Sequence, residues 1–314
     1  MNKQSSGKTK EYYLSVIFLI LTVIFWGISF ISTKILLTEV PPASIAFFRQ
    51  IIALVPLAAF SLFTHAFSKI SFRDLLLISA SGLFGIVLYF IFENTGLKYT
   101  TASNASMIVA SVPIFTLFSE AIFFKLKIKP KMILCLLLSI LGVYLVISIN
   151  GKLELSSSTF MGNMLIIGAM VCWVIYTIQS RSLSSLYSGI TITTYQTLVS
   201  VFLFIPFIAP EIKHWKALSL VPLLNLIYLG FFCSAVAYFF YIYATKRLGA
   251  TVSAAFLNLI PVVSVITSFF VLGEKITLLQ TAGMLLIISS LYILTLKSSK
   301  GSNTAPENEM NSGV

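Results

Sequence analysis

GLKYTTASNASMIVASVPIFTLFSEAIFF, running from Gly96 to Phe124, decides how the chain is read, because it returns in altered form between Leu248 and Gly273. With Pro113 set over Pro261, Ala102 falls over Ala250, Ser103 over Thr251, Ala105 over Ser253 and Ser119 over Thr267. Both copies begin with small and polar residues, carry one proline mid-segment and then turn strongly apolar. Small residues let helices approach closely in lipid, and the missing proline N–H is tolerated where neighbours satisfy the freed carbonyl. A duplicated helix of this kind predicts the wall of a cavity.

Working outward, 58% of the 314 residues are apolar, only 10% are charged and mean hydropathy is +0.98. Those values lie far outside the soluble globular range and predict an integral membrane protein. A spanning helix needs roughly 20 mainly apolar residues. Ten such runs are expected, at about 14–33, 44–64, 75–94, 102–124, 132–149, 160–180, 190–209, 220–243, 250–272 and 278–296. The runs are continuous rather than alternating, which excludes a strand barrel and predicts an all-α fold. Cys135, Cys172 and Cys233 fall inside apolar runs without metal-ligand spacing and read as packing thiols.

A net charge of +11 raises the question of nucleic acid, but the cations are scattered through loops rather than interleaved with aromatics on one face. Topology accounts for them. With the N-terminus in the cytoplasm, fourteen of the 21 Lys and Arg lie on that side, the densest cluster being Lys125, Lys127, Lys129 and Lys131. The positive-inside rule then places both termini in the cytoplasm and the chain in the cell membrane as a multi-pass protein.

Residues 1–12 and 298–314 read as cytoplasmic tails, and 150–159 as a linker between two five-helix units, 13–149 and 160–297. Five is odd, so a duplicated unit must enter the membrane in opposite senses, giving two inverted-topology repeats. Trp26 and Lys34 line up with Trp173 and Arg181, and Arg49 with Gln196, at nearly the same offset as the two prolines.

These residues resemble the ten-helix, EamA-type branch of the drug/metabolite transporter superfamily. The resemblance rests on FWGISFISTKIL (Phe25 to Leu36), Arg49, GLKYTTASNASMIVASVPIF and the stretch from Ala237 to Ile287, which carries Pro261, Gly273-Glu274 and Gly283 in family-like order. One departure is that Lys125-Leu126 stands in the first half where the second has Gly273-Glu274. The resemblance implies a basket of two inverted bundles around a central cavity, with helices 1, 3, 4, 6, 8 and 9 near the path and helices 5 and 10 peripheral. It further implies a small-molecule substrate drawn from amino acids, other metabolites or drugs.

Candidate cavity residues follow from depth and chemistry. Trp26 and Trp173 lie well inside their helices, with Ser29 and Tyr176 one turn on; Tyr89, Tyr238 and Tyr241 put hydroxyls into apolar runs; Asn258 lies about 12 Å into its helix. Each has packing or an interhelical hydrogen bond as its plainer reading. Glu93 sits about 27 Å along the third helix and Arg49 about 7 Å into the second, from the same side, so their depths match. Opposite charges at one depth are expected to pair, or to hold a charged substrate group, unless Glu93 simply reaches interfacial water. No paired mid-membrane aspartates, HExxH or glycine-rich phosphate loop occurs, and the two histidines sit at helix ends, so neither an enzyme nor a cofactor is expected. The expectation is a secondary transporter, an exporter by preference, with protons as the candidate coupling ion and oligomeric state open. A lipid-moving or multidrug efflux protein, and a structural or signalling membrane protein, remain as alternatives.

Overall fold

The computed structural model describes residues 3–64, 70–123, 130–147, 155, 157–184, 186–248, 256–257 and 259–295; the 298–314 tail and most of the 150–159 linker lie outside them, whereas most of the 1–12 tail is helical, as the start of α1. Among the described residues the fold is all helical. We label the main helices α1 (Lys3–Leu36), α2 (Pro42–Phe63), α3 (Phe72–Tyr99), α4 (Ala102–Phe123), α5 (Pro130–Ile147), α6 (Ser158–Ser184), α7 (Gly189–Leu203), α8 (Leu220–Ile227, Tyr228–Val236 and Ala237–Leu248), α9 (Ile260–Leu272) and α10 (Leu278–Thr295). Six are long and apolar enough to cross a membrane: α1 to α4, α6 and α8. The other four carry shorter apolar runs, such as Pro130–Val146 in α5.

Side chains are sorted as a bilayer demands. Large apolar groups such as Val55, Phe63, Phe202, Phe270 and Leu278 face outward, while Arg49, Gln50, Glu93, Asn94, Gln196 and Thr197 are buried. A soluble protein would expose the second group and hide the first. With hydrocarbon as solvent the apolar face costs nothing outside, and the polar groups must find one another inside.

Three of the long helices are not regular, and each irregularity bears on the interior. α3 passes through a π-helical segment at Leu83–Leu88, and α8 through one at Tyr228–Val236. A π segment slips the backbone hydrogen bonds by one residue and rotates the side chains that follow; here those include Tyr89 and Glu93 in one helix and Tyr238 in the other. α4 is broken, helical over Ala102–Val109 and again over Val112–Phe123, with a turn at Ala110 and Ser111. Pro113 explains the break, since its nitrogen has no hydrogen to donate to the preceding turn. α9 likewise begins at the residue before Pro261. The sequence reading expected each proline inside an unbroken span.

The packing repeats itself between the two parts of the chain. α1 lies against α8 and α9, α6 lies against α3 and α4, α2 crosses α8, α7 crosses α3, and α5 pairs with α10 at one side. Glycines set the close crossings. A Cβ on Gly230 would meet the Arg49 carbonyl at 3.1 Å, and one on Gly82 would meet the Gln196 carbonyl at 3.2 Å, so α2 and α7 come down on α8 and α3 in the same way.

One end of the bundle, where α1 stops and α2 starts, is tied by carboxylates that cap helices distant in sequence. Glu211 accepts from the amides of Ala43 (3.2 Å) and Ser44 (2.7 Å) at the start of α2. Glu274 accepts from the amides of Ala102 (2.9 Å) and Ser103 (3.1 Å) at the start of α4, and from the hydroxyls of Ser103 and Ser268. Glu39 accepts from the Ser219 amide (3.0 Å) and hydroxyl just before α8, and those hydrogen bonds hold its carboxyl below the usual carboxylate range. A negative charge at a helix start satisfies orphan N–H groups and complements the helix dipole. Lys34 does the converse, its Nζ donating to the Leu97 (2.7 Å) and Thr100 (2.5 Å) carbonyls at the end of α3.

Candidate functional site

The polar interior converges where α1, α2, α3, α6, α7 and α8 meet. α2 presents Arg49, 4% exposed, whose Nε donates to Ser234 Oγ of α8 at 2.9 Å and whose Cζ stands 4.1 Å from the centre of the Phe90 ring. α7 presents Gln196, the residue aligned with Arg49, and its Nε2 donates to Ser81 Oγ of α3 at 2.7 Å. Each polar group thus reaches a serine on the helix that its own helix crosses.

The π segment of α3 turns Tyr89 and Glu93 to the same interior. Glu93 is 7% exposed, and its Oε1 accepts from the Tyr89 hydroxyl at 2.9 Å. Glu93 and Arg49 are within electrostatic reach of each other but not in direct contact. Burial of a lone carboxylate here would cost several kcal/mol, roughly 3 by insertion scales, which the guanidinium on the neighbouring helix offsets.

Aromatic rings line the walls. The Tyr89 ring lies 5.3 Å from Trp173, and Trp173 lies 5.1 Å from Tyr176. On the other wall Trp26 is 5.3 Å from Tyr238 and 5.6 Å from Tyr241, with its Nε1 held at 3.0 Å by the Cys233 carbonyl. That hydrogen bond fixes the indole and leaves its face toward the tyrosines. Ser29 turns its hydroxyl back onto the Trp26 carbonyl at 2.7 Å, so it shapes α1 rather than reaching across.

A small cavity of about 10 Å³ is lined by Gln50, Gly85, Phe90, Gln196, Ser234 and Tyr238 among others. That is room for roughly a single water. A solute larger than that enters only if the helices move apart.

Nine of the ten residues singled out in the sequence are described: Tyr176 and Tyr238 line the cavity, Arg49, Tyr89 and Glu93 are buried, Trp26 contacts Tyr238 and Tyr241, Trp173 contacts Tyr89 and Tyr176, and Ser29 turns back onto its own helix; Asn258 lies outside the described residues. Ser234, Gln50, Phe90 and Thr197 were missed. Gln50 and Thr197 carried a signal, being polar residues inside apolar runs beside Arg49 and Gln196. Phe90 and Ser234 carried none. The resemblance gave helices 2 and 7 no place beside the cavity; α2 and α7 nonetheless carry the buried Arg49, Gln50, Gln196 and Thr197, while α5 and α10 pair at one side.

The sequence model of the EamA-like transporter family matches this chain twice, over residues 13–148 and again over 160–296. The chain belongs to the EamA-like transporter family. Among similar proteins are two transporters of Archaeoglobus fulgidus, named as uncharacterized. One is 31% identical, over 89% of this chain and 96% of its own length; the other is 32% identical, over 90% and 98%. A probable terminal-alkyne amino-acid exporter of Streptantibioticus cattleyicolor is 24% identical over 89% of this chain and 93% of its own. A solved crystal structure sharing 15% identity superposes with a TM-score of 0.64 over 90% of this chain and 98% of that one, which shows a common fold. The EamA-like chain is accordingly a multi-pass membrane protein of a transporter family.

Proposed function

We propose that this EamA-like protein is a secondary transporter of a small metabolite or amino acid, and an exporter, working by alternating access. The observation that carries the reading is the buried Arg49–Glu93 interior walled by aromatic rings from several helices. Buried charges in a membrane are expensive and face a path or a partner. Two inverted five-helix units, 13–149 and 160–297 joined by a 150–159 linker, would supply the moving parts. Supporting that division are the double family match, the paired π segments of α3 and α8, and the matched crossings of α2 on α8 and α7 on α3. Export is favoured by the relative named as an exporter. The site in this reading consists of Trp26, Ser29, Arg49, Tyr89, Glu93, Trp173, Tyr176, Tyr238, Tyr241 and Asn258, and Glu93 is its candidate proton carrier.

The test is a panel of labelled amino acids and other small metabolites offered to proteoliposomes, with and without a pH gradient. At least one solute should exchange across the membrane well above empty liposomes, and a gradient should accelerate it. Absence of transport of every solute by folded protein would overturn the reading.

Orientation has its own test. In this proposal the tails 1–12 and 298–314 lie in the cytoplasm of a cell-membrane protein and 150–159 lies outside. A reporter at the C-terminus should read cytoplasmic, and a tag within 150–159 should be labelled by an impermeant reagent. Labelling of both from one side would remove the odd-numbered repeat.

A further inference from the structure

Where α1 stops and α2 starts, a second cavity, of about 620 Å³, opens between the end of α3 and the 204–219 segment that joins α7 to α8. Four basic side chains line it: Lys98 from the last turn of α3, and Lys213, His214 and Lys216 from that segment. Glu39 and Glu211 line it too, but each of their oxygens already accepts a hydrogen bond. Glu211 holds the Ala43 and Ser44 amides, and Glu39 the Ser219 amide and hydroxyl. Among the described residues none of the four basic side chains is in an ion pair or a hydrogen bond; Lys98 lies 5.9 Å from the centre of the Tyr99 ring. The segment that carries three of them is pinned at three points. Glu211 caps α2, Trp215 Nε1 donates to Ser44 Oγ at 2.7 Å, and Ser219 is held by Glu39. Lys213 and His214 stand between the first two pins, Lys216 between the second and the third. Charges of one sign held around a concave surface focus their field into it.

We propose that this cavity binds the phosphate headgroup of an anionic phospholipid. It lies at the level where α1 and α3 end and α2 and α8 begin, which is the level of lipid phosphates for helices that cross a bilayer. Apolar residues that face outward flank it, Ile205 before the basic run and Leu220 and Val221 after it, and the half-exposed Trp215 ring stands at the boundary, as interfacial tryptophans do. A phospholipid uses both features, its phosphate among the lysines and its acyl chains along Leu220 and Val221. A volume of this size falls within the roughly 300–1,000 Å³ of small-molecule sites, and basic pockets between membrane helices hold lipid headgroups. A zwitterionic lipid would bring a cation of its own into a field set by Lys98, Lys213 and Lys216. A soluble anion would meet the same charges but leave the apolar flank unused. The site is apart from the polar interior and does not depend on the transporter reading.

The experiment titrates delipidated full-length protein in detergent with phosphatidylglycerol, or with phosphatidylcholine of the same acyl chains, and counts bound lipid by native mass spectrometry. Phosphatidylglycerol should bind saturably and at least about tenfold more tightly. Lys98→Gln, Lys213→Gln and Lys216→Gln should each weaken it by about fivefold, the worth of one lysine near a lipid surface, and the triple variant should bind the two lipids alike. Lys275→Gln removes an exposed lysine at the same end but outside the cavity, and should keep the preference. Since the three cavity lysines hold no hydrogen bond or ion pair among the described residues, their variants should unfold at the wild-type temperature when free of lipid. Equal binding of the two lipids by the wild type overturns the proposal. So does a loss in Lys275→Gln as large as in the cavity variants, which would reduce the effect to net charge. Displacement of the bound lipid by inorganic phosphate or glycerol 3-phosphate at concentrations equal to the lipid's would also overturn it, and would assign the cavity to a soluble anion.

Discussion

Arg49→Gln is expected to lower solute transport by about 100-fold and to destabilise the protein by about 3 kcal/mol, and Arg49→Gln combined with Glu93→Gln to recover the stability without the transport. Removing one partner of a buried charge pair leaves the other dehydrated and uncompensated, which costs about 3–5 kcal/mol; removing both leaves two neutral amides in the same space. A transport loss of this size corresponds to roughly 3 kcal/mol at 1.4 kcal/mol per tenfold, the upper range for a hydrogen bond to a charged group. Glu93→Gln alone keeps an acceptor for Tyr89 but leaves Arg49 without its counter-charge, so it should be destabilised by about as much as Arg49→Gln, and it should abolish or reshape the pH dependence of transport. The measurements are thermal unfolding in detergent and exchange in liposomes across pH. A double variant that transports normally would return both residues to a structural role.

The second large effect belongs to the turn after α9. Glu274→Ala removes the acceptor for two backbone amides at the start of α4 and for the hydroxyls of Ser103 and Ser268. Loss of an N-cap costs about 0.5–2 kcal/mol and loss of the charge–dipole attraction up to about 2 more. A destabilisation of up to about 4 kcal/mol is therefore expected, visible as a drop in unfolding temperature and in recovered protein. Glu274→Gln should fall between, since its amide keeps one acceptor oxygen but turns donors toward donors. Glu39→Ala, at the solvent-facing cap, serves as the comparison and should change little. Wild-type unfolding temperature in Glu274→Ala would show that the clamp carries no stability.

Much of this was legible in the sequence. Runs of apolar residues marked the helices, and one rise per residue was enough to put Glu93 and Arg49 at one depth. The duplicated proline segment foretold an unusual helix, although its consequence is a break at Ala110 and Ser111 rather than the unbroken run expected over 102–124. The π segments of α3 and α8 were not legible, because which carbonyl an amide chooses is settled by packing against the crossing helix and not by local residue preference. Nor was the task of Glu274. Its Gly273 was correctly picked out with it, and Gly273 does end α9 in the left-handed conformation, φ 65°, that glycine adopts freely. The carboxylate's partners lie 172 and 171 residues away, beyond the reach of any local pattern.

Those separations bear on how the chain is made. As synthesis proceeds from the N-terminus, the start of α2 emerges 168 residues before the Glu211 that closes it, and the start of α4 waits 172 residues for Glu274. Until then the leading segment holds helix ends with open amides. The dependence runs the other way through Glu39, whose carboxylate is already waiting when Ser219 and α8 arrive 180 residues later. Each matched segment therefore finishes the other's helices, so neither segment has all its helix starts capped until both have been inserted from the same polypeptide.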